Sequence, residues 1–231
     1  MALVTGANRG IGLAVARALA SEGCDVVLTA RDPAWLSLAR RELKRYGREV
    51  LTVPCDVRAP DGVRRLFLEV KKHFRRIDIL VNNAGIGHPN RNVEQLSYDA
   101  WRDVIDTNLN GVFLVTHFAL PMMKRGGAIV NNLSIAAKRV FPGSSAYNAS
   151  KHGALGLTDT LREELRPKGI RVIALLPGAT DTAIWKTLWA EAPRKKMMSA
   201  ETVARAVVDA LCLPSDSTME ELVLLPSAGT L

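Results

Sequence analysis

Cysteine is scarce in this chain: Cys24, Cys55 and Cys212 are the only three in 231 residues, far apart and with no C-x-x-C pair. An odd, scattered set argues against a disulfide framework, and the missing pair argues against the common zinc sites. The four histidines, His73, His88, His117 and His152, have no metal-ligand spacing either, so no metal is expected. Long apolar runs are lacking too. The most apolar later stretch, Val112 to Met123, is too short for a bilayer and carries Thr116, His117 and Pro121. The strand-like Leu3-Val4-Thr5 follows Met1 so closely that no cleavable signal fits ahead of it. The expectation is a cytoplasmic protein with no membrane partner. Acidic residues are outnumbered by basic ones, 23 to 31, for a net charge of +8. The basic residues are spread along helical segments as Arg40-Arg41, Lys44-Arg45, Arg64-Arg65, Lys71-Lys72, Arg75-Arg76 and Lys195-Lys196. Dispersed charge of this kind is a solvated surface, and no nucleic-acid partner is expected.

Short β-rich runs alternate with amphipathic helical runs along the whole chain. Strands are expected at 2–5, 25–29, 50–55, 79–82, 128–133, 170–176 and 221–225. Several are continuously apolar, such as Val26-Val27-Leu28 and Val172-Ile173-Ala174-Leu175-Leu176, as when both faces of a sheet are covered. The rhythm predicts an α/β fold, a doubly wound parallel sheet with helices on both faces. No repeat, low-complexity segment or linker interrupts it, so residues 1–231 are expected to form a single domain.

The first strand runs into Thr5-Gly6-Ala7-Asn8-Arg9-Gly10-Ile11-Gly12, a glycine-rich turn entering a helix. Glycines permit a tight turn and close approach by a pyrophosphate, and the helix N-terminus offers free N–H groups and partial positive charge. The spacing is G-x-x-x-G-x-G. Asp56-Val57 follows the third strand and Asn82-Asn83-Ala84-Gly85 the fourth. Asn108 lies in the next helix and Ser134 after the fifth strand. Tyr147-x-x-x-Lys151 opens the following helix, and Pro177-Gly178 with Thr182 closes the sixth strand. In these motifs and in their order, over almost its whole length, the sequence resembles the short-chain dehydrogenase/reductase family.

The resemblance implies a Rossmann-type fold and hydride transfer between a nicotinamide cofactor and a small-molecule carbonyl or alcohol. It assigns cofactor contacts to Gly6, Asn8, Arg9, Gly10, Ile11, Gly12, Asp56, Val57, Asn83, Ala84, Gly85, Tyr147, Lys151, Pro177, Gly178 and Thr182, and catalysis to Asn108, Ser134, Tyr147 and Lys151. By the same resemblance Asn108 joins Lys151 in a water-mediated proton relay, and Lys151 holds the nicotinamide ribose. Read without the family, the relay role for Asn108 and the plain alternative, a helix irregularity or a surface residue, stand equal. Independently of the family, these segments gather at the carboxyl ends of the predicted strands, the edge where open parallel sheets bind ligands.

Chemistry supports the same residues. Reduction of a ketone needs a proton for the developing alkoxide. Tyr147 and Lys151 are four apart and share a helix face. An ammonium beside the phenol is expected to lower its pKa from the usual value near ~10. Ser134 can hydrogen-bond the substrate oxygen. A non-catalytic NADP(H)-binding sensor or scaffold is the rival reading, against which the intact Ser134, Tyr147 and Lys151 speak.

The cofactor preference is read at the end of the second strand. An NAD-using site carries an acid there, but Thr29 leads into Ala30-Arg31. With Arg9 in the glycine-rich turn, Arg31 suits a ribose 2′-phosphate, so NADP(H) is expected. Asp32 is read as the cap of the next helix, with Pro33 at its first position. Residues 185–199 occupy the place of the family's substrate lid. There Trp185, Leu188 and Trp189 could cover an apolar substrate or pack on the body of the domain. The chain ends without the glycine pair of the acyl-carrier-protein and steroid branches, and its character is nearer the broad-specificity carbonyl and hydroxy-acid reductases. Apolar and small residues on the helices expected at 101–123 and 146–166, together with the family habit of pairing these helices, imply a homodimer or homotetramer.

Overall fold

The apolar runs can be buried on both sides only by stacking them as a sheet between helices, and the chain does so. The computed structural model describes residues 1–229; residues 230 and 231, within the expected domain, lie outside the described residues. Seven strands form one parallel sheet: β1 (Ala2–Thr5), β2 (Val26–Ala30), β3 (Val50–Pro54), β4 (Ile77–Asn82), β5 (Met123–Asn132), β6 (Arg171–Pro177) and β7 (Glu221–Leu224). Their order is β3-β2-β1-β4-β5-β6-β7. The expected α/β sheet is observed, and each expected segment contains a strand. Two begin earlier than expected: Ile77 pairs with Met123 ahead of a register shift. The exposed Lys124, Arg125 and Gly126 that follow Met123 hide that pairing from an apolar pattern.

Side chains alternate between the two faces. Val4 and Leu28 pack with α1 (Gly10–Ser21), α2 (Pro33–Leu43) and α8 (Ala200–Leu211). Leu3, Val27, Leu80, Ile129 and Val172 pack with α3 (Pro60–His73), α5 (Gly111–Ala119) and α6 (Ser145–Leu165). Each fully buried leucine, such as Leu3, Leu28 or Leu80, contributes roughly 1.5–3 kcal/mol relative to exposure.

The helix expected at 101–123 is broken. Its first part is α4 (Tyr98–Ile105), which packs on α6. A π-helical turn over Asp106–Asn110 follows, then α5 and a 3₁₀ turn at Leu120–Met122, where Pro121 ends the helix. Such π turns are frequent at functional sites, and Asn108 is inside this one.

A buried polar thread fixes the strands that carry the motifs. The Asn82 amide donates to the Thr116 hydroxyl and to Asn131 Oδ1, both at 2.9 Å, and the Asn131 amide donates to Thr158 at 2.9 Å. Leaving such a buried donor unpaired costs about 1–3 kcal/mol. The thread therefore holds β4, β5, α5 and α6 in one register. β1 and β4 are neighbours from which the chain departs in opposite directions, the switch point where a crevice opens beyond the strand ends.

Candidate active site

The crevice is a cleft of about 930 Å³ along the carboxyl edge of the sheet. Its walls include Gly6, Asn8, Arg9, Gly10 and Ile11 from the first turn, and Arg31, Asp56 and Val57 from the ends of β2 and β3. Asn83, Ala84 and Gly85 come from β4, Ser134 from β5, Tyr147 and Lys151 from α6, and Pro177, Gly178 and Thr182 from β6. Two expected residues, Gly12 and Asn108, are not on these walls; both sit behind them and shape them.

Gly12 is where two loops lock together. Thr5 Oγ1 accepts from the backbone N–H groups of Asn83 and Ala84 at 2.9 Å each, and the Asn83 amide donates to Thr5 O at 2.9 Å and Gly6 O at 3.2 Å. A Cβ on Gly12 would fall 2.3 Å from Asn83 Nδ2 and 2.5 Å from Gly6 O. Glycine is required there by packing. Gly6 has φ +62° and would bring a Cβ to 2.9 Å from Ala84 Cα, so the turn follows a path that L side chains disfavour. At the start of α1 no side chain caps the helix and its first turn holds no acid. Its N–H groups and partial positive charge remain available to an anion. The Thr182 methyl lies 3.3 Å from a Cβ position on Gly10 and closes over this turn.

At the far side of the switch point, Lys151 Nζ donates to the Asn132 carbonyl at 3.0 Å, and the Asn132 amide donates to Asn83 Oδ1 at 2.8 Å. The lysine is thereby tied to the loop that holds the glycine-rich turn. Asn108 clamps the same region from behind. Its Oδ1 accepts from Ile86 N at 2.9 Å, and its Nδ2 donates to Ile86 O at 2.9 Å and Ser150 Oγ at 3.1 Å. The side chain positions backbone, and it is buried inside the irregular turn and not on the surface.

The electrostatics correct one expectation. The Lys151 ammonium stands 5.6 Å from the centre of the Tyr147 ring, but burial is the larger influence on the phenol and pushes it above its ordinary value. The Ser134 hydroxyl opposes that shift. Burial also lowers Lys151 to about 8. Tyr147 is thus held protonated at neutral pH, the form that donates a proton. Ser134 itself is fixed by accepting from Ala136 N at 3.1 Å.

At the opposite end, Asp32 caps α2, accepting from Ala34 N at 2.9 Å and Trp35 N at 3.3 Å. Its carboxylate is committed to the helix, as the sequence suggested. Asp56 is gripped by Arg58, with Nε 3.0 Å from both carboxylate oxygens and Nη2 2.7 Å from Oδ2. These hydrogen bonds, with help from Arg31, hold its carboxyl below the usual range. Arg58 also donates to Asp103 on α4 at 2.9 Å. The negative charge beside Arg31 is therefore largely compensated.

Of the 185–199 segment, α7 (Trp185–Leu188) and Trp189 line the cleft. Leu188 presses on Gly87, where a Cβ would meet its Cδ2 at 2.4 Å, and Trp185 Nε1 donates to Thr180 O at 2.9 Å. Arg194 ties the segment to Asp181 and to Thr182 O. Asn132, Arg58 and Trp35 are site residues that the sequence motifs do not single out. For Asn132 a signal existed, the polar Asn131-Asn132 pair ending an apolar strand; Arg58 and Trp35 had none beyond proximity to a motif. Among the described residues, no three or more His, Cys, Asp or Glu side chains gather as a metal site, and no helix is long and apolar enough to cross a membrane.

Comparison with known proteins gives a consistent picture. A family model described as short chain dehydrogenase matches residues 1–193. A 3beta-hydroxysteroid dehydrogenase of Mediterraneibacter gnavus is 40% identical over 183 residues, covering 79% of this chain and 66% of that protein. This chain therefore spans just under two-thirds of that relative's length. An alcohol dehydrogenase of the archaeon Thermococcus sibiricus, solved with 5-hydroxy-NADP, superposes with a TM-score of 0.91 at 33% identity, covering 98% of this chain and 96% of that one. A variant of the actinorhodin polyketide ketoreductase, solved with NADPH, gives 0.88 at 32% identity over 100% of this chain and 97% of its own.

Proposed function

The chain belongs to the short-chain dehydrogenase family, and from that premise we propose that it is an NADP(H)-dependent oxidoreductase interconverting a carbonyl and a secondary alcohol, with Tyr147 as the proton donor and acceptor. The observation that carries the reading is the convergence of Ser134, Tyr147 and Lys151 on the same cleft as an uncapped helix N-terminus behind a glycine-rich turn. That cradle fits a pyrophosphate, because side chains at Gly6 and Gly12 would collide with the Asn83-Ala84 loop and the backbone is free to approach. Gly10, Ile11 and Thr182 would hold the phosphates, Arg9 and Arg31 a 2′-phosphate, Asp56 and Val57 the adenine, and Lys151 the nicotinamide ribose. Asn8, the Asn83–Gly85 loop and Pro177-Gly178 would complete the contacts. Bound NADPH supplies the hydride; the rest of the chemistry belongs to the protein. Ser134 orients the carbonyl oxygen, Tyr147 delivers the proton to it, and Lys151 returns charge balance while Asn108 keeps the Ile86 backbone and Ser150 in place. We read residues 1–231 as one catalytic domain and 185–199 as its lid, with Leu188 and Trp185 excluding water over an apolar substrate.

The test follows NADPH absorbance with a panel of aldehydes, ketones and keto acids. Carbonyl-dependent consumption is expected. NADPH binding without turnover on any member would replace this reading by a scaffold role.

We also propose a homodimer or homotetramer through α5 and α6. Phe113 on α5 is 52% exposed and stacked on His117. On α6, Gly156 has open space where a Cβ would stand. A self-complementary apolar face with small residues suits a two-fold contact. Light scattering on a sizing column should give at least twice the monomer mass. A clean monomer at micromolar concentration would remove the interface.

A further inference from the structure

Trp35 occupies an unusual place. Leu36, Ala39 and Leu43 bury the inner face of α2 in the core, while Leu38 and Trp35 on the helix are 47% and 53% exposed; of these two only Trp35 lines the cleft. Its backbone is fixed because its N–H donates to the Asp32 cap. It lies one helical turn beyond Arg31, beside the ends of β2 and β3 where Cys55, Asp56 and Val57 line the same cleft. The stacked and edge-on ring pairs of the fold, such as Phe67 with Phe118 at 6.2 Å, lie elsewhere. The Trp35 side chain stays open to a cleft whose walls also carry Arg9 and Arg31. It matches a flat heteroaromatic base that carries phosphate nearby.

We propose that the Trp35 indole is the stacking surface for the adenine of the cofactor, a positioning contact for the end of the molecule farthest from the chemistry. The proposal rests on the NADP(H) reading above. Stacking on an aromatic face is insensitive to the exact groups on the base, and a rigid indole on a capped first turn holds its plane at little entropic cost. The phosphate contacts of Arg9 and Arg31 and the face of Trp35 would then fix the base and the ribose together.

The experiment uses the full chain and adenosine 2′,5′-bisphosphate, the adenine end of NADP without the nicotinamide, titrated by calorimetry and by tryptophan fluorescence. Trp35→Ala is expected to weaken binding about tenfold or more, as loss of one stacked base does, and Trp35→Phe to stay within about threefold by the same stacking argument. The quench seen on titrating the wild type should vanish in Trp35→Phe, because Trp185 and Trp189, the other tryptophans on the cleft wall, belong to the 185–199 segment and not to the end of the cleft formed by β2 and β3. Wild-type affinity in Trp35→Ala, equal losses in both variants, or an undiminished quench in Trp35→Phe would overturn the proposal. A wild type that binds ADP as tightly as the bisphosphate would instead overturn the NADP preference. The stacking would then be judged on ADP with the same variants.

Discussion

Replacing Tyr147 by phenylalanine is expected to lower kcat by roughly 10²–10⁴, the usual contribution of a positioned acid–base group, while NADPH affinity stays within a few-fold. The phenolic oxygen is the only part of the residue that exchanges a proton; the ring merely packs. The arrangement also sets the pH profile. Burial holds the phenol above its ordinary value, so at neutral pH the proton needed for reduction is in place. Lys151, lowered by burial to about 8, loses its charge as pH rises through that value. The kcat/KM for reduction should therefore be flat near neutrality and fall on the alkaline side of about 8. Stopped-time assays across pH 6 to roughly 10, where free tyrosine titrates, check both statements. A phenylalanine variant keeping more than about a tenth of wild-type kcat would remove Tyr147 from the role.

The reason that the sequence read as it did lies in where its signals are local. Val26-Val27-Leu28 and Val172 to Leu176 are continuous apolar runs, so the central strands could be placed from pattern alone. Thr5 to Gly12 and Asn82 to Gly85 are contiguous, so their glycines and asparagines could be recognised before their contacts were known. What could not be read depends on partners distant in sequence. The π turn around Asn108 inserts no unusual residue; it is stabilised by Ile86 and Ser150, each more than twenty positions away. Arg58 looks like one more surface cation until Asp103, 45 positions on, is brought against it beside Asp56. The phenol's pKa was expected to fall because an ammonium stands four residues on. In the fold the desolvation of both groups outweighs their proximity. Spacing supplies neighbours, and only burial decides what the neighbours do to each other.

Removing both Arg9 and Arg31 is expected to reverse much of the preference for NADPH over NADH. Both side chains are exposed at the mouth of the cleft, so each contact to a 2′-phosphate should sit at the weak end of the charge-assisted range, about 1.5 kcal/mol. That is roughly tenfold in affinity per arginine, and a double loss of about a hundredfold if the two act independently. The effect should be confined to the phosphorylated cofactor. Among the described residues the cleft lining holds no third arginine, and the nearby Arg58 is spent on Asp56 and Asp103. Nor does an acid stand ready to reward NADH, since the Asp32 carboxylate caps α2 and Asp56 is gripped by Arg58. NADH binding should accordingly change little in either single variant or in the double variant. Titration of wild type, Arg9→Ala, Arg31→Ala and the double variant with both cofactors gives the full comparison. The same comparison at rising salt adds a second readout, because contacts between exposed charges weaken as ionic strength increases. An NADPH-to-NADH ratio unchanged in the double variant would mean that these guanidinium groups do not read the 2′-phosphate.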